Sequence, residues 1–236
     1  PTAEAAATAS GAGRECLLET LDRLTGPLNG RPAGAPARPE VQQAITAAII
    51  AAMRGATVTE ERRVWALLAR LSSPPVAELA ALIANGDVAI VERIRAVRAL
   101  ARIDSDPAKR ALIAIAGTGT TSLRTAVREH LASMAPPAAG AVREALVASP
   151  SSQIARRADL TFALGPLARR EPNDGDATIA LLRTLLAPTA PFEESARAVT
   201  TLGHLQRPEA VDQFGGTNVR ANRKKPARVG FEAPWI

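Results

Sequence analysis

Residues 76–107 read VAELAALIANGDVAIVERIRAVRALARIDSDP, and their pattern decides the fold. Val76, Leu79, Ala80, Leu82 and Ile83 fall on one face of a short helix. Asn85-Gly86-Asp87 interrupts it: glycine fits the left-handed position that ends helices, and aspartate can cap the next start. Ile90, Val91, Ile94, Val97, Leu100 and Ala101 then form a second apolar stripe at three- and four-residue spacing. Glu92, Arg93, Arg95, Arg98 and Arg102 fall largely outside that stripe. Asp106-Pro107 opens a further unit, with aspartate as N-cap and proline at the first helical position.

The same ending recurs along the chain. A leucine, two residues and an aliphatic residue precede a proline at Leu68–Leu71 before Pro74, Leu100–Ile103 before Pro107, and Leu131–Met134 before Pro136. Two more follow at Leu164–Leu167 before Pro172 and Leu202–Leu205 before Pro208. The leading leucines stand 32, 31, 33 and 38 residues apart, so the period lies in the low to middle thirties. Each period holds two helical patterns. Thr57 and Glu60 fit a capping box ahead of Val64, Leu67, Leu68 and Leu71. Residues 108–116 and 123–134 flank the Gly117-Thr-Gly-Thr-Thr turn, and residues 138–147 and 154–167 flank Ser149-Pro150-Ser151-Ser152. Residues 177–186 and 193–205 form the last pair, with Pro188 and Pro191 between them. Ahead of these lie a helix over 16–24, a Pro/Gly-rich connector over 26–39 and an apolar helix over 42–53 that stops at Gly55. One such pair cannot bury its apolar stripe, and stacking on neighbours can.

The run Arg93-Ile-Arg-Ala-Val-Arg-Ala-Leu-Ala-Arg-Ile103, followed by Asp106-Pro107, resembles the second helix and inter-repeat turn of bacterial HEAT-like repeats. Residues 194–203 do so as well, and the resemblance extends over residues 57–208. It implies an all-α chain, a right-handed α-solenoid of about four to five HEAT-like helix pairs. The expected organisation is a leader over 1–13, N-terminal capping helices with their connector over 14–56, the repeat array over 57–214 and an extended basic arm over 215–236. HEAT-like proteins mostly serve as scaffolds that bind partners. Some relatives act on pigments or alkylated DNA bases, but no site motif from those can be matched to residues of this chain.

Composition agrees with helices. Hydrophobic residues make up 47 % of the 236, aromatics only 3 %, and tyrosine is absent. The core must come from Ala, Leu, Ile and Val, which favours close-packed helices over a β-sandwich. Of the formal charge of +6, +4 lies in residues 215–236, where Arg220, Arg223, Lys224, Lys225 and Arg228 stand against Glu232. A single cysteine, Cys16, excludes an intrachain disulfide framework and a cysteine-based zinc site. The longest apolar run, residues 44–53, falls far short of the roughly 18 residues a membrane span needs. The Ala-, Thr-, Ser- and Gly-rich stretch over 1–13 leans towards an exported protein on the periplasmic side of the cell envelope. An ordinary N-terminal extension, in a cytoplasmic protein, is the alternative.

Chemistry-bearing residues are sparse. His130 and His204 are 74 positions apart, on different second helices, which is no metal-ligand spacing. Cys16 lies beside Arg14 and Glu15, ahead of the repeats, and Gly-x-Ser-x-Gly does not occur. The Gly117-Thr-Gly-Thr-Thr segment lacks the Gly-Lys-Ser/Thr ending of a phosphate loop and follows a helix rather than a strand, so it reads as a turn. Glu60-Glu61 and Glu193-Glu194 open helices, where negative charge complements the dipole. Asp174 and Asp176 around Gly175 read as turn and capping residues, being too few for a calcium loop. No catalytic residue, metal, cofactor or small-molecule substrate is expected.

Two features point to partners. Arg62, Arg63, Arg93, Arg95, Arg98, Arg124, Arg128, Arg156 and Arg157 lie on successive helices. Aligned on one face they would track phosphates or an acidic protein. The favoured reading is a solvated face paired with Glu61, Glu92, Glu129 and Asp159. The second feature is the arm, where Arg220, Arg223, Lys224, Lys225 and Arg228 precede Phe231, Trp235 and Ile236. Aromatic anchors beside a basic run suit a protein interface, since the rings bury area and the charges steer approach. A tail folded back to cap its own last repeat is the alternative. The expected function is a non-catalytic interaction scaffold, a structural or accessory subunit docked partly through this arm, with a nucleic-acid-binding module as the alternative.

Overall fold

The computed structural model describes residues 11–25, 39–71, 73–187 and 190–205. These residues form helices and turns, with no strand among them. The helices are α1 (Gly11–Thr25), α2 (Pro39–Met53), α3 (Val58–Arg70), α4 (Val76–Ala84), α5 (Ile90–Arg102) and α6 (Asp106–Ala114). They continue as α7 (Thr121–Ser133), α8 (Ala139–Ala148), α9 (Ile154–Arg170), α10 (Pro172–Thr184) and α11 (Phe192–His204). None of these helices is long and apolar enough to cross a membrane. The connector expected over 26–39 and the arm over 215–236 lie outside the described residues, except for Pro39, which opens α2. Helix α1 begins at Gly11, three residues inside the stretch read as a leader.

Local chemistry sets the helix ends. At α3 the Thr57 side chain accepts from the Glu60 N–H at 3.3 Å, and Glu60 Oε2 accepts from the Thr57 N–H at 2.7 Å. The Glu60 carboxyl is held below its ordinary value, first by the Thr57 backbone N–H and further by Arg14, with burial opposing. That contribution is complete above the ordinary carboxylate range and is lost as pH falls through the lowered value. Thr57→Ala is expected to cost about 1 kcal/mol in urea unfolding, the usual worth of such a cap.

Three start and stop signals differ from the sequence expectation, the first being Asp87, which does not cap α5: that helix starts behind Ala89 with no side-chain cap. Ser105, not Asp106, caps α6, its hydroxyl accepting from the Ala108 N–H at 3.3 Å. Extended backbone at Ser105 aims that side chain at the helix end, and Asp106 is then already helical. Between α4 and α5 the Asn85 side chain accepts from the Asp87 N–H at 2.9 Å, which closes the turn without a left-handed glycine. Gly86 therefore has no positive φ, whereas Gly55, Gly117 and Gly119 do. Helix α10 also starts earlier than expected, at Pro172, and absorbs Asp174, Gly175 and Asp176 into its first turns.

The helices pack in two rows. In one, α4 lies on α6, α6 on α8 and α8 on α10; in the other, α3 lies on α5, α5 on α7, α7 on α9 and α9 on α11. Each helix of the first row packs on its successor in the second: α4 on α5, α6 on α7, α8 on α9 and α10 on α11. Helices α1 and α2 pack on each other and on α3, closing the array at its N-terminal end. A continuous core runs between the rows through Leu68, Leu79, Val97, Leu100, Leu112, Leu123, Leu131, Val142, Leu160, Leu164, Leu182 and Leu202. The leucines that mark the sequence period, Leu68, Leu100, Leu131, Leu164 and Leu202, are all buried in this core.

Candidate interaction surface

The arginines decide what the second-helix row can offer a partner, and most face inwards. Glu61 of α3 is buried and accepts from Arg95 Nε of α5 at 2.7 Å, with Arg98 Nη1 at 3.8 Å. Arg95 Nη2 also donates to the Ala56 carbonyl at 2.6 Å. Two steps on, Asp159 of α9 is 1 % exposed and accepts both arms of Arg124 from α7, at 3.1 and 2.9 Å. The Gly117 N–H adds a third bond at 3.1 Å. Hydrogen bonding to Asp159 raises the Arg124 pKa, so this guanidinium stays charged throughout. Arg157 of α9 then forks onto the buried Glu194 of α11.

Other arginines satisfy carbonyls left open at helix ends. Arg93 Nε donates to the Ile83 carbonyl at 2.7 Å, Arg156 Nη1 to that of Ala114 at 2.7 Å, and Arg157 Nη1 to that of Ser149 at 2.7 Å. Arg63 pairs with Glu15 of α1, and Arg128 lies over the Phe162 ring, 4.7 Å from its centroid. Of the nine residues read as a solvated face, Arg62 remains exposed without a described contact. The expected partners Glu61 and Asp159 are correct, but they are buried staples between successive helix pairs rather than surface pairs. Glu171 works in the same manner: it is buried and its carboxylate accepts the Ala138 and Ala139 N–H groups at the start of α8.

The Gly117-Thr-Gly-Thr-Thr segment is a structural turn. A Cβ on Gly117 would lie 2.4 Å from the Arg156 backbone, so only glycine lets the turn approach α9. Cys16 is exposed on α1, and no cluster of potential metal ligands occurs among the described residues. His130 and His204 sit on α7 and α11 respectively.

Two surface features remain. The N-terminal turns of the second helices share one edge, because Glu61 meets Arg95, Arg157 meets Glu194, and Gly117 and Gly119 approach Arg156 and Arg93. Along this edge Val58, Val91, Ile154 and Phe192, each within the first two residues of its helix, are exposed, Phe192 to 85 %. At the opposite ends of α5 and α7 a cleft of about 440 Å³ opens, lined by Arg102, Asp104, Lys109 and His130 over Leu100, Leu112 and Met134. The periodic stripe concealed both. Val91, expected in the apolar stripe of α5, is instead 55 % exposed because it falls in the first turn, at the edge of the stack, and nothing in the sequence brings Arg102, Lys109 and His130 together across three helices. The arm residues Arg220, Arg223, Lys224, Lys225, Arg228, Phe231, Trp235 and Ile236 lie outside the described residues.

In comparisons with known proteins, the chain matches no protein-family model, no curated protein and no solved structure.

Proposed function

We propose that the chain is a non-catalytic protein–protein interaction scaffold, a right-handed α-solenoid of HEAT-like helix pairs that serves as a structural or accessory subunit of a larger assembly. The observation that carries this reading is the line of exposed apolar side chains at Val58, Val91, Ile154 and Phe192, recurring on one edge of stacked helices. Isolated surface apolar groups are ordinary, but four of them at the starts of α3, α5, α9 and α11, on one edge, have the form of a docking strip interrupted only at α7, which begins with Thr121 and Ser122. The two-row packing, in which helices contact near neighbours in sequence, supports the solenoid reading. The inward use of the arginines favours a protein partner over a phosphate backbone, since few of these cations are left to track one.

The arm over 215–236 supplies the second anchor in this reading, through Phe231 and Trp235 beside Arg220 to Arg228. The test is a native pull-down with the full chain, the chain lacking residues 215–236 and the Trp235→Ala variant, read by mass spectrometry. A stoichiometric protein set that is lost with the arm and weakened by Trp235→Ala is the expected result. The same set recovered without the arm would remove the arm from the interface. Recovery abolished by nuclease would replace the scaffold with a nucleic-acid-binding module.

A further inference from the structure

Elsewhere in the second-helix row, buried carboxylates balance the arginines: Glu61 joins α3 to α5, Asp159 joins α7 to α9 and Glu194 joins α9 to α11. Among the described residues no acid–arginine pair joins α5 to α7. At that junction lies the cleft of about 440 Å³, with Arg102 from α5, Lys109 from α6 and His130 from α7 on its walls. Its volume falls in the range of small-molecule sites, and its floor is apolar: Ala101 and Ala135 lie partly exposed over the buried Leu100, Leu112 and Met134.

The cationic groups are held in place. The Arg102 guanidinium lies over the Trp65 ring of α3, 5.2 Å from its centroid, a contact that leaves its charge in place. Lys109 is only 14 % exposed and reaches Asp104 Oδ1 at 3.4 Å. Asp104 itself is 57 % exposed and sits in the turn between α5 and α6 with φ of 38°, a left-handed conformation that non-glycine residues rarely adopt. This turn thus holds a carboxylate at the rim of the cleft, beside the lysine. Burial holds the His130 pKa below its ordinary value, and Arg98 and Arg102 of α5 add to this against the opposing Glu129. Besides these, Lys109 and Asp104 line the same cleft, and from α9 Arg170 donates to the Ser133 carbonyl at the end of α7.

We propose that this cleft binds a small oxyanion ligand, a carboxylate or phosphate carried on an apolar body. The anion sits between Arg102, Lys109 and His130, and the apolar body lies against Ala101 and Ala135, above the buried Leu100, Leu112 and Met134. Asp104 occupies the lysine in the free protein and is displaced when the ligand enters.

The test uses the full chain, with inorganic phosphate and phenyl phosphate as probes, followed by calorimetry and by the NMR titration of the His130 imidazole. Phenyl phosphate is expected to bind about tenfold tighter than inorganic phosphate, from the apolar floor. Either anion is expected to raise the His130 pKa, since a bound negative charge favours the imidazolium. Lys109→Gln should weaken binding about five- to tenfold, and Asp104→Asn should tighten it by a similar factor. Asparagine tolerates the left-handed backbone, so that variant keeps the turn while removing the competing charge. No His130 shift with either anion at millimolar concentration would overturn the proposal. So would equal affinity for both probes, or an Asp104→Asn variant that binds no better than the unaltered chain.

Discussion

Asp159→Ala is expected to destabilise the protein by about 3 kcal/mol, the lower end of the range for breaking a buried ion pair. Asp159 is 1 % exposed and holds three donors: both arms of Arg124 and the Gly117 N–H. Its removal strands a guanidinium that only partly reaches water, which keeps the cost from the top of the range. The measurement is urea unfolding, where the midpoint should fall at nearly constant slope. Replacing both members, as Asp159→Leu with Arg124→Leu, should recover much of the loss, because a well-packed apolar pair has no desolvation penalty to offset. An Asp159→Ala midpoint within error of the unaltered chain would show that this staple contributes nothing.

Gly117→Ala is expected to cost at least as much, through backbone rather than charge. Its φ of 78° alone is worth about 1–3 kcal/mol for a residue with a Cβ. The new Cβ would also meet the Arg156 backbone N and Cα at 2.4 Å, where no flexible side chain can give way. The turn must then withdraw from α9, taking the Gly117 N–H off Asp159. Gly86→Ala is the matched control: no atom lies within 4 Å of its Cβ and its φ is not positive. That variant should be neutral or more stable by about 0.4–1 kcal/mol, from a less flexible unfolded chain.

Both predictions arise where sequence reasoning was half right. The apolar stripe over 90–101 and the recurring leucines at 68, 100, 131, 164 and 202 gave the helices and the core, because helical periodicity is a local property. Thr57 and Glu60 announced their capping box for the same reason. Ser105, one residue before the expected cap, was hidden because Asp106-Pro107 offers an equally good local signal. The partners of Glu61, Asp159 and Glu194 lie 34 to 37 positions away, and no local pattern separates a buried staple from a solvated pair. Glu171 as a cap for the distant α8 was illegible on the same grounds. The cleft of Arg102, Lys109 and His130 exists only once three helices are stacked.

These staples also explain how a chain of Ala, Leu, Ile and Val keeps one register. Small aliphatic side chains pack in many near-equivalent ways, and a buried pair of fixed geometry selects one of them. Arg124 on Asp159 and Arg157 on Glu194 thus fix the offset of α7, α9 and α11, and with it the places of Ile154 and Phe192, while Arg95 on Glu61 does the same for α3 and α5 with Val58 and Val91.

The most direct test of a scaffold stabilised between nearest neighbours is amide hydrogen exchange on the Asp159→Ala variant. A stack of helix pairs predicts faster exchange in α7, α9 and the turn over 117–121, with α2 to α4 keeping the protection of the unaltered chain. A uniform loss of protection from α2 to α11 would contradict it, since only a single cooperative globule transmits one broken pair equally to every helix.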